Sequence, residues 1–219
     1  LVDYLHEGGP CATPTVDGAN VFGQSKDGRL TCYSIGSGRK IWQVNLMKKA
    51  ELPRSPEWGF AASPLVLGKM LIVEATFTLA LNKKTGEEIW RSDYDGPGAA
   101  QRGLMWWQEG DDRRIFYPAG RELIALHAET GKAVASFGRN GRVDLRPEDK
   151  EAPFFTSVPG IVFEDKLILG FSTAESANSQ AGMIRAFDAR TGAEAWRFNS
   201  LPREGGLGSE TWKEGALDN

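Results

Sequence analysis

The chain has 219 residues, 41% of them hydrophobic and 25% charged, with a formal net charge of −3. That is the composition of an ordinary globular protein with room for a sizeable core, as one domain or at most two. Lys and Arg are scattered, which leaves no electrostatic footprint for nucleic acid, and no apolar run approaches the roughly 20 residues that cross a bilayer.

Only two histidines, His6 and His127, and two cysteines, Cys11 and Cys32, occur, far apart in sequence. This excludes a clustered zinc site and a CxxC redox pair. A Cys11–Cys32 disulfide, if their strands are adjacent, and two unpaired buried thiols both remain open. No signal-peptide pattern is recognisable within these 219 residues, and with Leu1 rather than Met in first place a processed chain or a fragment is expected. With 26 Gly, 11 Pro and seven Trp, the composition suits many short strands, tight turns and large aromatic fillers.

Taken in chain order, four segments align without gaps: "CYSIGSGRKIW" (32–42), "ALNKKTGEEIW" (80–90), "ALHAETGKAVA" (125–135) and "AFDARTGAEAW" (186–196). In each, a strand ends in a polar residue (Ser34, Asn82, His127, Asp188), and a glycine follows four positions later (Gly38, Gly86, Gly131, Gly192). Asn and Asp can bond the backbone two residues on, and glycine supplies positive φ without steric cost, so each segment predicts a hairpin. In three copies a tryptophan stands four residues beyond the glycine, which implies a recurring pocket for a large ring. The third copy has Ala135 instead; Phe137, two residues on and hence on the same strand face, is expected to fill that pocket in a looser contact.

Two more strands precede each hairpin, as in "SPLVLGKMLIVE" before "FTLAL". Four short antiparallel strands per unit make one propeller blade. Turn-glycine spacings of 48, 45 and 61 residues suit blades, the last with an insertion. The expected fold is an all-β propeller, partial or small, spanning 1–219. Its blades lie near 10–50, 58–96, 101–140 and 154–200, and residues 201–219 begin a further element. A β-sandwich is the rival, but sandwiches do not repeat a turn-plus-tryptophan signature.

The pattern A-x-D-x-x-T-G-x-x-x-W resembles the tryptophan-docking repeat of the pyrroloquinoline quinone (PQQ) propeller superfamily. From about residue 101 the likeness narrows to the PQQ-dependent alcohol and glucose dehydrogenases. It is carried by "QRGLMWWQEGDDRRIFYPAGRELIALHAETGKAVASFGRNGRVDL" (101–145) and "GMIRAFDARTGAEAWRFNSLPREGGLGSETW" (182–212). Residues 10–96 look like more generic repeats of the superfamily. The resemblance implies a periplasmic quinoprotein dehydrogenase that oxidises alcohols or sugars with PQQ and Ca²⁺ and passes electrons to a cytochrome or quinone. The other class in the superfamily, a non-catalytic propeller that binds proteins as an outer-membrane assembly scaffold, is the alternative.

The same resemblance nominates site residues. Arg102 in "QRG" matches the arginine that pairs with a PQQ carboxylate, and bidentate recognition of an anion suits a guanidinium; a surface arginine is the plainer reading. Thr156, three residues before Pro159, matches a PQQ-contacting threonine or simply caps a strand end. "GFSTAE" (170–175) resembles the Gly-Ser-Ser-Gly-Ala-Glu segment of the dehydrogenases, with Phe171 and Thr173 as departures. By that match Ser172, Thr173 and Ala174 line the cofactor and Glu175 ligates Ca²⁺, a hard cation that takes carboxylate oxygens; otherwise Glu175 is a solvated loop residue. No catalytic residue is nominated, and the general base is expected outside this chain.

Overall fold

A computed structural model of the chain describes residues 11–56, 59–92, 102–146, 154–156, 158–173, 182–202, 205–206 and 208–213. Four four-stranded antiparallel sheets follow one another along the chain, as the propeller reading requires. Blade 1 holds β1 (Thr15–Asp17), β2 (Asn20–Gln24), β3 (Arg29–Ser34) and β4 (Lys40–Asn45). A single helical turn, α1 (Leu46–Lys49), follows, with the Asn45 side chain accepting from the Lys48 N–H at its start. Blade 2 holds β5 (Leu65–Leu67), β6 (Met70–Glu74), β7 (Thr78–Asn82) and β8 (Glu88–Arg91). Blade 3 holds β9 (Met105–Glu109), β10 (Asp112–Ala119), β11 (Glu122–His127) and β12 (Arg142–Asp144). A two-residue strand, β13 (Phe154–Phe155), precedes blade 4, which holds β14 (Ile161–Phe163) and β15 (Lys166–Gly170). The short β16 (Ser172–Thr173) pairs with β13, and β17 (Met183–Asp188) and β18 (Glu194–Asn199) complete blade 4.

The four turns close in one way. The N–H of Gly38, Gly86, Gly131 and Gly192 donates to the carbonyl of Ser34, Asn82, His127 and Asp188 respectively, each at 2.8 Å. All four glycines have positive φ, between 66° and 76°, where a Cβ would be strained. Asn82 Oδ1 accepts from the Lys84 N–H at 2.9 Å and Asp188 Oδ1 from the Arg190 N–H at 3.0 Å, the local bonds expected of such residues.

Each blade stacks on the next through the ring that follows its turn. The Trp42 ring lies against Gly86, where a Cβ would come within 3.0 Å of it, and its Nε1–H donates to Lys83 O at 3.1 Å. Trp90 lies against Gly131 in the same way and donates to Ala128 O at 3.0 Å. The third seam keeps both functions on two residues. Phe137, fully buried, packs against Gly192, while Arg114 Nη1 donates to Ala189 O at 3.0 Å and Arg190 O at 2.7 Å. The place the tryptophan takes at the other seams is held here by Phe137 together with Val143. Phe137 reaches the pocket from a turn rather than from the strand expected there, since the fourth strand of blade 3 is β12.

Each of the three seams has an apolar core. Phe22, Leu30 and Cys32 of blade 1 meet Leu71, Leu79 and Leu81 of blade 2. Ile72, Ala80 and Trp90 meet Ile115 and Ala128 of blade 3. Phe116, Ala125 and Phe137 meet Leu167, Leu169 and Phe187 of blade 4. Blade 2 is covered on both faces, which is why β6 reads "MLIVE" without alternation and is buried throughout. Both cysteines are free: Cys32 is buried at the first seam, Cys11 is exposed, and no disulfide joins them. Of the two cysteine readings, unpaired thiols hold, with only Cys32 buried.

Candidate cofactor-binding site

Register fixes which end of the blades carries the candidate residues. The turns lie where the second strand begins, since Asn20 faces Ser34 and Met70 faces Asn82. The first strands begin at the opposite end, where Thr15 faces Phe22 and Leu65 faces Ile72. Every described candidate sits at that opposite end.

The segments entering the first strands touch in series. The Thr13 N–H donates to Ser63 Oγ at 3.1 Å, Thr15 Oγ1 donates to Pro64 O at 2.5 Å, and the Ser63 N–H donates to Arg102 O at 3.3 Å. A Cβ on Gly103 would lie 3.6 Å from the Pro159 ring, so the entries to blades 3 and 4 run side by side. Arg102 is thus held by its backbone among three blade entries. Its side chain is exposed and makes no ion pair among the described residues.

Thr156 is buried, with its hydroxyl directed at Gly170 O (3.1 Å) and Val158 O (3.3 Å). The single hydroxyl proton is committed to backbone, so Thr156 fastens the "FTSVPG" segment to the end of β15. The β13–β16 ribbon adds a second fastening, with Phe155 opposite Ser172 and Phe154 opposite Thr173. Arg102, Thr156, Ser172 and Thr173 are thereby brought to one end of the blade 3–blade 4 seam. Ala174 and Glu175 lie outside the described residues. The ring of Phe171 is half-buried against the blade 3–blade 4 core, with the Arg185 guanidinium 5.6 Å from its centre.

Besides Arg114, two buried ionisable residues at this seam and its neighbour, Arg185 and Glu74, are not among the residues the sequence nominates. Arg185 is bonded to Glu194 Oε2 (2.5 and 2.7 Å) and to Leu145 O (2.7 Å), and burial lowers its pKa against the pull of Glu194. Glu74 ends β6 at the blade 2–blade 3 seam, and burial pushes its carboxyl up to about 8 although the Thr76 N–H donates to it at 3.0 Å. The only hint was a carboxylate closing an apolar run, "MLIVEATFTLAL", whose end could as well face water. No group of three or more His, Cys, Asp or Glu that could hold a metal ion occurs among the described residues.

Similarity to known proteins extends over most of the chain. A PQQ family model, described as the β-propeller domain of glucose/ethanol/alcohol dehydrogenases, matches residues 39–218. The quinohemoprotein alcohol dehydrogenase ADH IIB of Pseudomonas putida is 31% identical over 161 residues, 68% of this chain and 21% of that protein. Quinoprotein glucose dehydrogenase A of Acinetobacter calcoaceticus is 28% identical over 165 residues, covering 58% and 20%. Among solved structures, quinohemoprotein alcohol dehydrogenase from Comamonas testosteroni superposes with a TM-score of 0.53 at 29% identity, over 66% of this chain and 22% of that one. The chain spans about a fifth of the length of the curated relatives it matches. With four-stranded blades stacked in series and a family match over more than half its length, the chain belongs to the PQQ family of glucose/ethanol/alcohol dehydrogenase β-propeller domains.

Proposed function

We propose that the chain forms part of a periplasmic quinoprotein dehydrogenase that binds PQQ and Ca²⁺ and oxidises alcohols or sugars, with a cytochrome or quinone as electron acceptor. The observation that carries this is the convergence of Arg102, Thr156 and the Gly170–Thr173 strand end on one end of the blade 3–blade 4 seam.

The residues fit an anionic, flat cofactor on the side they form. An exposed guanidinium without an ion-pair partner among the described residues, fixed through its backbone, suits a carboxylate. Gly103 beside it adds no bulk. Thr156 positions the loop through Gly170 rather than offering its proton, while Ser172, Thr173 and Ala174 line the cofactor and Glu175 supplies a carboxylate to the metal. When bound there, PQQ with Ca²⁺ would supply a polarised quinone able to accept hydride. Arg102 orients the carboxylate-bearing edge, and the Phe171 ring in the seam core excludes water from behind the loop. The proton of the substrate hydroxyl goes to a base outside this chain.

Thermal melting with PQQ and Ca²⁺ tests the proposal directly. A ligand at about 100 times its Kd stabilises by about 2.7 kcal/mol, which raises the melting temperature of a domain this size by several degrees. Arg102→Met is expected to remove most of that shift, since a hydrogen bond to a charged group contributes about 1.5–3 kcal/mol. Glu175→Gln is expected to remove its Ca²⁺ dependence while leaving the unliganded melting temperature unchanged. No shift with PQQ, with or without Ca²⁺, would overturn the reading and favour a scaffold propeller.

A further inference from the structure

Phe171 puts a large ring where the Gly-Ser-Ser-Gly-Ala-Glu segment has its first serine. The ring is half-buried and packs against the blade 3–blade 4 core, so its bulk is taken up inside the seam. What meets it there is Arg185, which lies opposite Leu169, one pair from the end of β15. Its guanidinium carbon is 5.6 Å from the centre of the Phe171 ring and 4.7 Å from that of Phe187. Nε and Nη2 donate to Glu194 Oε2, and Nη1 donates across the seam to Leu145 O. Leu145 is fully buried, and its own N–H donates to Arg121 O at 2.8 Å.

These contacts gather the two roots of the β13–β16 ribbon. The strand β16 begins at the residue after Phe171. The chain that becomes β13 leaves blade 3 at Leu145, the residue after β12. One planar cation touches both roots. A fork fixed on a carboxylate and on a carbonyl holds that plane in one orientation, and an aromatic ring can lie on its face.

Stability alone does not account for such a group, because the cost of desolvating a buried ion pair offsets most of its attraction. Nor does the stacking of blades require it. Arg185 stands one residue before Ala186, and its counterparts before Cys32, Ala80 and Ala125 are Thr31, Leu79 and Ile124. Those blades stack without a cation at this position. The one blade that has it is the blade that carries the ribbon.

We propose that Arg185 is a positioning residue. It seats Phe171 in the seam, ties it to Leu145, and thereby sets where the β13–β16 ribbon, with Ser172 and Thr173, stands relative to Arg102. That this ribbon end receives PQQ rests on the function proposed above; that Arg185 fixes the ribbon does not. The Phe171 departure then belongs to the device, since a serine would give the guanidinium no face to lie on.

Hydrogen exchange on the unliganded chain tests the fixing. Arg185→Lys keeps the charge and loses the planar fork. Amides of residues 154–156 and 171–173 are expected to exchange about tenfold faster in this variant, with those of β6 and β7 unchanged. Phe171→Leu keeps an apolar side chain in the core, loses the aromatic face, and should loosen the same two segments. Acceleration of β6 and β7 by the same factor would reduce Arg185 to a structural role. Wild-type exchange in both variants would remove its role altogether, and either result overturns the proposal.

A PQQ titration with Ca²⁺, read by tryptophan fluorescence, separates this proposal from the functional reading. Both variants are expected to weaken PQQ binding about tenfold, and the double variant little further, because the two side chains act through one contact. Wild-type affinity in both variants would overturn the positioning role and leave the PQQ reading standing. A wild type that binds no PQQ would overturn the PQQ reading, and the exchange data alone would then decide on Arg185.

Discussion

Glu74 shows how one residue ties stability to pH in this fold. Strand alternation puts its side chain on the face of Ile72, which meets blade 3, and burial holds the carboxyl protonated up to about 8. Below its ordinary value of 4.5 both folded and unfolded chains keep the proton. Between there and about 8 the unfolded chain has released it and the folded chain has not, so stability falls as pH rises, by about 1.4 kcal/mol per unit, and then levels off. Glu74→Gln keeps the shape and an acceptor for the Thr76 N–H but cannot ionise. The variant is expected to melt at nearly the same temperature at pH 5 and pH 8, whereas the wild type loses several degrees; equal slopes would refute the assignment. Gln24 occupies the same register in blade 1 and is fully buried, with neither amide atom bonded among the described residues. Replacing such a group by an apolar one of like shape is neutral to stabilising. Urea unfolding of Gln24→Met is therefore expected to show a gain of about 1 kcal/mol; a loss of that size would mean the amide is satisfied.

At the scale of the element, the third seam divides one tryptophan's work between an apolar ring and a cation. Phe137→Ala is expected to cost about 3–5 kcal/mol as a buried aromatic deletion, and Arg114→Met about 1.5–3 kcal/mol for its charged hydrogen bonds. Because both act on the same turn around Gly192, the double variant should cost less than the two losses added; strict additivity in a double-mutant cycle would separate them. Ala135→Trp is not expected to rescue Phe137→Ala, because residue 135 is exposed in a turn. The hairpins were legible in the sequence because their chemistry is local: Asn82 and Asp188 bond residues two places on. The stand-in at the third seam was only half legible. Phe137 could be named from spacing, but Arg114 meets a carbonyl 75 residues away, a contact that no local pattern encodes. The candidate site divides in the same manner. Arg102 and Thr156 stood out through motif context, whereas the fastening of Thr156 to Gly170 comes from how β15 ends.

For the whole molecule, blades stacked in series predict a gradient of stability. A stack of repeats gains from each nearest-neighbour seam, and terminal repeats have one seam instead of two. Blades 2 and 3 are covered on both faces, while blade 1 leaves Tyr33 and Ile35 exposed and blade 4 leaves Trp196 and Phe198 exposed. In dilute solution, amides of β6, β7, β10 and β11 are therefore expected to exchange hydrogen most slowly. Those of β2, β3, β15 and β17 should exchange at least about tenfold faster, since a seam difference of 1.4 kcal/mol already gives that ratio. Uniform protection in the dilute chain would show that the terminal blades do not depend on their seams.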